Sequence, residues 1–452
     1  MNVEGSALTT TTTGISMTSS LHPEPQTTPP EALPGAPGRV SATEASEGPA
    51  TMSRWLWVAF PLAFLGVNAV WGGVVQVLLG TQVAAMVGPE NAPATLGIVS
   101  GVAAVSSVIS QPVMGLLSDR TRSRFGRRNV WVLGASIVGV LALLGTALSP
   151  SVPILAVVWA LAMWPLNALQ GALGAVLPER VPVRLRGSIS GVLGAASYFG
   201  AFVGVAIAGL TGNVFVGYAG IAVVLLATAL LFAFSTTDVA PAPAPESFGT
   251  RRRQMMPGFR AAPDYWWAFL GRFTMIFGAA VVSGFQLYIL QNYIKVGDGS
   301  IAAAATALVG LSGISTLTTI IFALIGGWIS DRFRRLRIFV GISTLMFIPA
   351  ALVYIFVPTY LGAVVASLIT GMAFGIYLAV DQALISRVLP SNQNAARDLG
   401  IMNIANAGPQ ILAPVLGGVL VTVTGNYQIL FIVMIVSVTV SSVFVKFIRS
   451  VR

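Results

Sequence analysis

Twelve apolar blocks of about twenty residues or more follow one another between Trp55 and Phe447, and each is long enough to cross a hydrocarbon core of ~30 Å as a helix. They fall at 55–87, 93–117, 129–148, 152–177, 187–210, 214–235, 264–294, 300–329, 337–357, 359–386, 398–423 and 427–447. Turn chemistry separates them, as in Gly88-Pro89, Ser149-Pro150, Thr211-Gly-Asn213 and Thr424-Gly-Asn426. Only 9% of the residues are charged, against roughly 25% in a soluble globular domain. The chain reads as an all-α membrane protein.

The placement of basic residues orients it. Of 25 Lys and Arg, 23 fall on one side of this topology, leaving only Arg272 and Lys295. Positive charge gathers on the cytoplasmic side of a bilayer, so both termini and the central linker are expected there. The same count explains the net charge of +10 without nucleic acid, since no basic face is left free of the membrane.

The largest basic cluster, Gly115-Leu-Leu-Ser-Asp-Arg-Thr-Arg-Ser-Arg-Phe-Gly-Arg-Arg128, returns in shortened form as Gly327-Trp-Ile-Ser-Asp-Arg-Phe-Arg-Arg335, with Asp119 and Asp331 spaced 212 residues apart. The same shift aligns Trp55 with Trp267, Gly66 with Gly278, Gly72 with Gly284, Gly101 with Gly313, Gln170 with Gln382 and Val176-Leu-Pro178 with Val388-Leu-Pro390. A register held across half the chain marks a duplication, and hence six helices plus six.

The expected organisation is a disordered cytoplasmic tail at 1–54, an N-terminal six-helix half at 55–236, a cytoplasmic linker at 237–263, a C-terminal half at 264–448 and a short tail at 449–452. The first segment, with its run Thr9 to Thr13, is too polar to bury a core, and lacks the basic and apolar regions of a signal peptide, so the first helix is expected to direct insertion. The linker is rich in Pro and carries Arg251-Arg-Arg253.

Chemistry is bounded by what the chain lacks. With no Cys, and His22 in the polar tail, thiolate and histidine metal sites and histidine acid/base catalysis are excluded. No phosphate-binding loop is present. Neither enzyme activity, cofactor nor metal is expected.

These features resemble the major facilitator superfamily over residues 55–448, which implies its twelve-helix fold of two pseudo-symmetric halves and transport by alternating access. Between the second and third blocks, Gly115, Leu117, Ser118, Asp119 and Arg120 fit the usual signature, while Gly126-Arg127-Arg128 arrives four residues late. That extended form is similar to sucrose/proton symporters and their glycoside-cation relatives, as is Asn167-Ala-Leu-Gln-Gly-Ala-Leu-Gly-Ala-Val-Leu-Pro-Glu179 in the fourth block. Where those symporters carry an arginine this chain has Gly174, and their aspartate becomes Glu179. The resemblance implies a cytoplasmic gate at Gly115, Asp119, Arg120, Gly126, Arg127, Arg128, Asp331 and Arg332, with Asp119 docking on neighbouring arginine and the start of the eleventh helix. Asp119 needs such a partner, because a carboxylate at a helix C-terminus opposes the dipole.

Within the apolar blocks, Arg272 and Asp381 are isolated ionisable groups. Each costs about 2.5–3.5 kcal/mol at a helix centre, which favours pairing or a watery cavity. Both sit a turn or two from the cytoplasmic ends of their helices, so a pair between them is expected. Burial penalises the charged form of Asp381 while an adjacent guanidinium favours it; the carboxyl is the leading candidate for proton coupling. At 100° per residue Arg272, Ser283 and Gln286 share a face, as do Thr370, Phe374, Tyr377 and Asp381, and likewise Asn68, Trp71 and Gln82, and Asn167, Gln170 and Gly174. Gln382, the repeat mate of Gln170, joins the candidates for substrate or coupling contact.

The expected function is secondary active transport of a small solute, coupled to a proton or another cation, with sugar or glycoside symport suggested by the motif. Export of a hydrophobic natural product or drug by proton antiport is the alternative, and a non-transporting membrane sensor or scaffold stands below it. The expected setting is a bacterial plasma membrane, the arginine-rich usage (23 Arg to 2 Lys) suggesting a GC-rich genome. The expected partners are lipid, substrate and coupling ion, with the chain working as a monomer.

Overall fold

The computed structural model describes residues 53–121, 123, 126–236, 259, 262–333, 336–388 and 395–448. Residues 1–52, most of the linker and residues 449–452 lie outside the described residues. Among those described are 12 helices long and apolar enough to cross a membrane. In chain order they are α1 Arg54–Val87, α2 Ala92–Arg120, α3 Arg127–Ala147, α4 Val152–Arg180, α5 Arg186–Leu210, α6 Val214–Ser235, α7 Pro263–Ser283, α8 Ile301–Phe333, α9 Leu336–Phe356, α10 Tyr360–Val388, α11 Ala395–Thr424 and α12 Gln428–Lys446.

Three of these helices depart from regular α geometry, α9 only by a break at Met346. In α1 the stretch Trp71–Leu78 is π-helical. After Ser283 the chain of α7 turns through Gly284 and Phe285, then resumes as Gln286–Tyr288 and the π-helical Ile289–Tyr293. The single apolar block 264–294 is therefore two helical pieces.

The duplication is visible in the packing. Within the first half α1 lies against α5 and α6, α2 against α4, and α3 against α4 and α6; within the second α7 lies against α11 and α12, α8 against α10, and α9 against α10 and α12. Every contact in one set has its mate in the other. The two Thr-Gly-Asn turns match in detail: Gly212 and Gly425 take φ of 60° and 64°, a left-handed backbone that glycine adopts without strain. Asn213 Oδ1 then accepts from Val216 N at 3.1 Å and caps α6, while Asn426 Oδ1 accepts from Gln428 N at 2.9 Å in a tighter turn just before α12.

Helices gain little by leaving lipid for one another unless small residues let their backbones come close. That is how α1 and α5 meet: a Cβ placed on Gly204 would collide with the Ala69 carbonyl, and one on Gly72 with the Ala201 carbonyl. Side chains such as Leu141, Val223, Leu324 and Val423 point outward and are largely exposed, as a lipid-facing surface requires.

The halves join through α2 with α11 and α5 with α8, a pair of contacts that the internal symmetry exchanges. These contacts gather at the end remote from the arginine loops. Gly97 of α2 lies against Pro414 and Gly418 of α11, Gly209 of α5 against Ala305 of α8, and Gly80 of α1 against Leu287. Tyr288 Oη donates to the Gly80 carbonyl at 2.9 Å, and Thr306 Oγ1 to the Gly209 carbonyl at 3.4 Å. At mid-span Tyr198 of α5 meets Phe374 of α10, ring centres 6.0 Å apart. Toward the arginine loops, no cross-half hydrogen bond or ion pair occurs among the described residues. There Gly171 and Gly174 of α4 are exposed, and a Cβ on either would meet nothing within 4 Å. The seam is sealed at one end.

Packing within a half should therefore resist enlargement strongly. Gly204→Val is expected to lose about 3 kcal/mol through overpacking of α1 against α5, read as a lower melting temperature and a smaller monodisperse fraction by fluorescence-detected size exclusion.

Candidate functional site

Between the halves, at mid-span, lies a cavity of about 760 Å³ whose wall is drawn from both of them. Asn68, Trp71 and Gln76 of α1, Ser107 and Gln111 of α2, and Asn167 and Gln170 of α4 form one side. Arg272, Ser283 and Gln286 of the α7 pieces, Thr370 and Tyr377 of α10, and Asn406 and Gln410 of α11 form the other. Amides and hydroxyls alternate with aromatic rings, a surface suited to a polar body with apolar faces.

Some of these groups are committed to holding helices together. Asn167 Nδ2 donates to Ser107 Oγ at 2.9 Å and Ser110 Oγ at 2.8 Å, clamping α4 to α2, and Asn68 Nδ2 donates to the Phe64 carbonyl of its own helix at 2.8 Å. Others remain facing the space. Trp71 Nε1 donates to Gln170 Oε1 at 3.2 Å on the cavity surface, a contact that a solute can displace at small cost because both groups stay hydrated.

Arg272 and Asp381 come together across α7 and α10, with Nη1 and Oδ2 3.3 Å apart. They are not equivalent. Arg272 reaches the cavity wall, whereas Asp381 is buried behind it and does not line the space. The hydroxyl of Tyr377, one turn from Asp381, is buried without a hydrogen bond of good geometry, as is Arg272 Nε. The side chain of Gln382 lies outside the described residues.

The phase argument fails at Gln82. That side chain is buried away from the cavity, donating to the Thr146 carbonyl at 2.9 Å and accepting from Tyr218 Oη at 3.2 Å. The cause is the π-helical stretch: each wide turn inserts an extra residue and rotates everything beyond it by about 100°. Gln76, inside that stretch, faces the cavity instead. Gln111, Tyr198, Asn406 and Gln410 also line the cavity and were not singled out from sequence. Each was legible only as a lone polar group in an apolar block.

At the arginine-loop end, Gly126 takes φ of 93° and turns the chain into α3, which explains a glycine before Arg127-Arg128. Arg128 is buried, donating to Ser118 Oγ at 2.7 Å and to both oxygens of Glu179, with Nη2–Oε1 at 2.6 Å; Arg127 pairs with the same carboxylate. Next to it, Arg180 donates to Asn129 Oδ1 at 3.0 Å and lies over the Phe232 ring at 5.6 Å. The sequence marks Glu179 only as a displaced family aspartate, yet it ties Arg127 and Arg128 of α3 to α4. The side chains of Asp119, Asp331 and Arg332 lie outside the described residues, Arg120 is exposed, and Gly115 has open space where a Cβ would stand.

The sequence profile of the Major Facilitator Superfamily matches residues 52–315 and, in a second copy, 268–452. The chain belongs to the Major Facilitator Superfamily. It is a multi-pass membrane transporter rather than an enzyme. Solved superfamily structures share the fold at low sequence identity. A bacterial homolog of the human lysosomal transporter Spinster, in an inward-facing and occupied conformation, superimposes with a TM-score of 0.63 at 15% identity, covering 87% of this chain and 95% of that one. The nucleoside transporter NupG gives 0.63 at 14% identity, covering 86% of this chain and 97% of that one. Among curated proteins, an uncharacterized symporter of Synechocystis sp. is 52% identical over 46 residues, which is 10% of this chain and 8% of that relative.

The Glu179 brace lies within the first half, joining α3 to α4. Removing its charge takes away the carboxylate that Arg127 and Arg128 share, and breaking an ion pair costs about 3–5 kcal/mol when both partners are deeply buried. Glu179 keeps about a third of its surface exposed, so Glu179→Gln is expected to cost about 2 kcal/mol. Thermal unfolding of the purified protein checks this, and an unchanged melting temperature refutes it.

Proposed function

We propose that the protein is a secondary active transporter that carries a small polar solute through the central cavity by alternating access in a bacterial plasma membrane. One observation carries the reading: the cavity sits on the seam of two pseudo-symmetric halves whose close glycine contacts, among the described residues, gather at the end remote from the arginine loops. With the arginine loops and termini in the cytoplasm, as the charge distribution supports, this is an inward-facing state. Rocking about the cavity would part α2 from α11 and α5 from α8 at the sealed end and bring the arginine loops together at the other. Gly115, with free space beside it in this state, would take up packing in the opposite one, and Asp119 would latch it.

The amide- and hydroxyl-rich wall favours a polar cargo over a hydrophobic natural product. The extended arginine motif and the short likeness to a symporter favour uptake with a coupling ion. Asp381 is the coupling candidate: it is shielded from the cavity, and its only ion-pair partner among the described residues is Arg272. A carboxyl in that position can exchange a proton as its partner is engaged or released.

Two experiments in proteoliposomes test this reading. The chain has no native cysteine, so Gly101→Cys with Val415→Cys places a unique pair across the sealed end, where a Cβ on Gly101 lies 3.0 Å from Val415 Cγ2. Oxidation should lower solute flux more than about tenfold and reduction restore it, since a disulfide holds its Cα atoms within ~7 Å; flux through the cross-linked protein would rule out rocking at this seam. Asp381→Asn should retain downhill exchange while losing accumulation driven by a proton gradient. Uphill transport by that variant would exclude Asp381 as the coupling group.

A further inference from the structure

We infer that the solute carries a carboxylate, and that Arg272 is its counter-charge; the inference rests on the transport reading above and names the charge class of its cargo. Arg272 is the one ionised side chain in the cavity wall, and no Asp, Glu, Lys or His joins it among the described residues lining the space. The wall is thus cationic at one point and neutral elsewhere.

The guanidinium is also under-matched. It offers five N–H donors in a rigid fork suited to the two oxygens of a carboxylate. Asp381 meets it through one long contact, Nη1 to Oδ2 at 3.3 Å, where charge-assisted bonds run at about 2.7–2.9 Å. Nε is buried with no acceptor at all. Because Asp381 stands behind the wall, it offsets the charge of Arg272 without covering its cavity side.

The surroundings of Arg272 give the anion a defined berth. Tyr198 of α5 lines the same space. Tyr377 of α10, one turn from Asp381, lines it as well. A carboxylate bound at Arg272 would therefore sit where α5 of one half faces α7 and α10 of the other, and would give the guanidinium a charged acceptor that a hydroxyl-only solute cannot supply. Charge-assisted hydrogen bonds are roughly twice as strong as neutral ones, so the site selects for the anion. A cationic solute would meet Arg272 with no carboxylate in the wall to offset it, which selects against amines.

The test uses the full chain in lipid nanodiscs and follows intrinsic tryptophan fluorescence, Trp71 and Trp159 both lining the cavity. The probes are matched pairs that differ by a carboxylate: glucuronate with glucose, methyl glucuronide with methyl glucoside, and lactobionate with lactose. In at least one pair the acid is expected to bind about tenfold or more tightly than its neutral mate. The double variant Arg272→Gln with Asp381→Asn removes both charges together, so no buried ion is orphaned. It should stay monodisperse and narrow that preference to about twofold or less. Equal or tighter binding of the neutral member in every pair overturns the inference, as does a preference that survives the double variant, or the failure of every acid to bind. Flux of the neutral sugars without acid binding would leave the transport reading standing and remove this one. Arg272-dependent acid binding with no flux of any solute would do the reverse.

Discussion

Close approach of backbones at small residues is the constraint on which this molecule depends. In water, burying apolar side chains would drive the helices together; in lipid that drive is absent, and contact has to come from fit. Within each half the fit is tight, as where Gly204 rests on the Ala69 carbonyl. Across the halves, among the described residues, the closest backbone approaches gather at one end, at Gly97, Gly80 and Gly209. The two kinds of contact use the same chemistry at different extents. Halves that are solid inside and joined over small patches are what a rocking mechanism requires.

The polar groups divide along the same line. Glu179 with Arg127 and Arg128, and Arg180 with Asn129, sit within the first half and brace its arginine-loop end. Arg272 and Asp381 sit within the second half but at the cavity, where one partner faces the solute space and the other is sheltered. A charge pair inside a half stiffens it, whereas a pair at the seam's edge can respond to what enters.

Much of this was legible in the sequence, for physical reasons. Helix number and length follow from hydrocarbon thickness, and the repeat of Gly115–Arg128 near Gly327 announced the two halves. Phase at 100° per residue placed Asn68, Trp71, Asn167, Gln170, Arg272, Ser283, Gln286 and Tyr377 on the cavity wall. It also proposed that Arg272 and Asp381 meet, since two charges at one depth have few other partners. What escaped was whatever depended on departure from ideal geometry or on a distant partner. Gln82 was misplaced because nothing in the apolar run Val70–Leu79 signals wide turns. Glu179 was undervalued because its partners lie about fifty positions away in the chain, beyond the reach of helical periodicity.

The wide turns of α1 have a mechanical meaning as well. A helix with one uniform pitch presents a single stripe along its length, but α1 changes phase midway. Its inner part turns Asn68, Trp71 and Gln76 toward the solute space, while its outer part turns Gln82 into a bond with Tyr218 and the Thr146 carbonyl. One rod thereby works as a two-lobed cam, so that any rotation of α1 about its axis moves the cavity wall and the anchorage to α3 and α6 together.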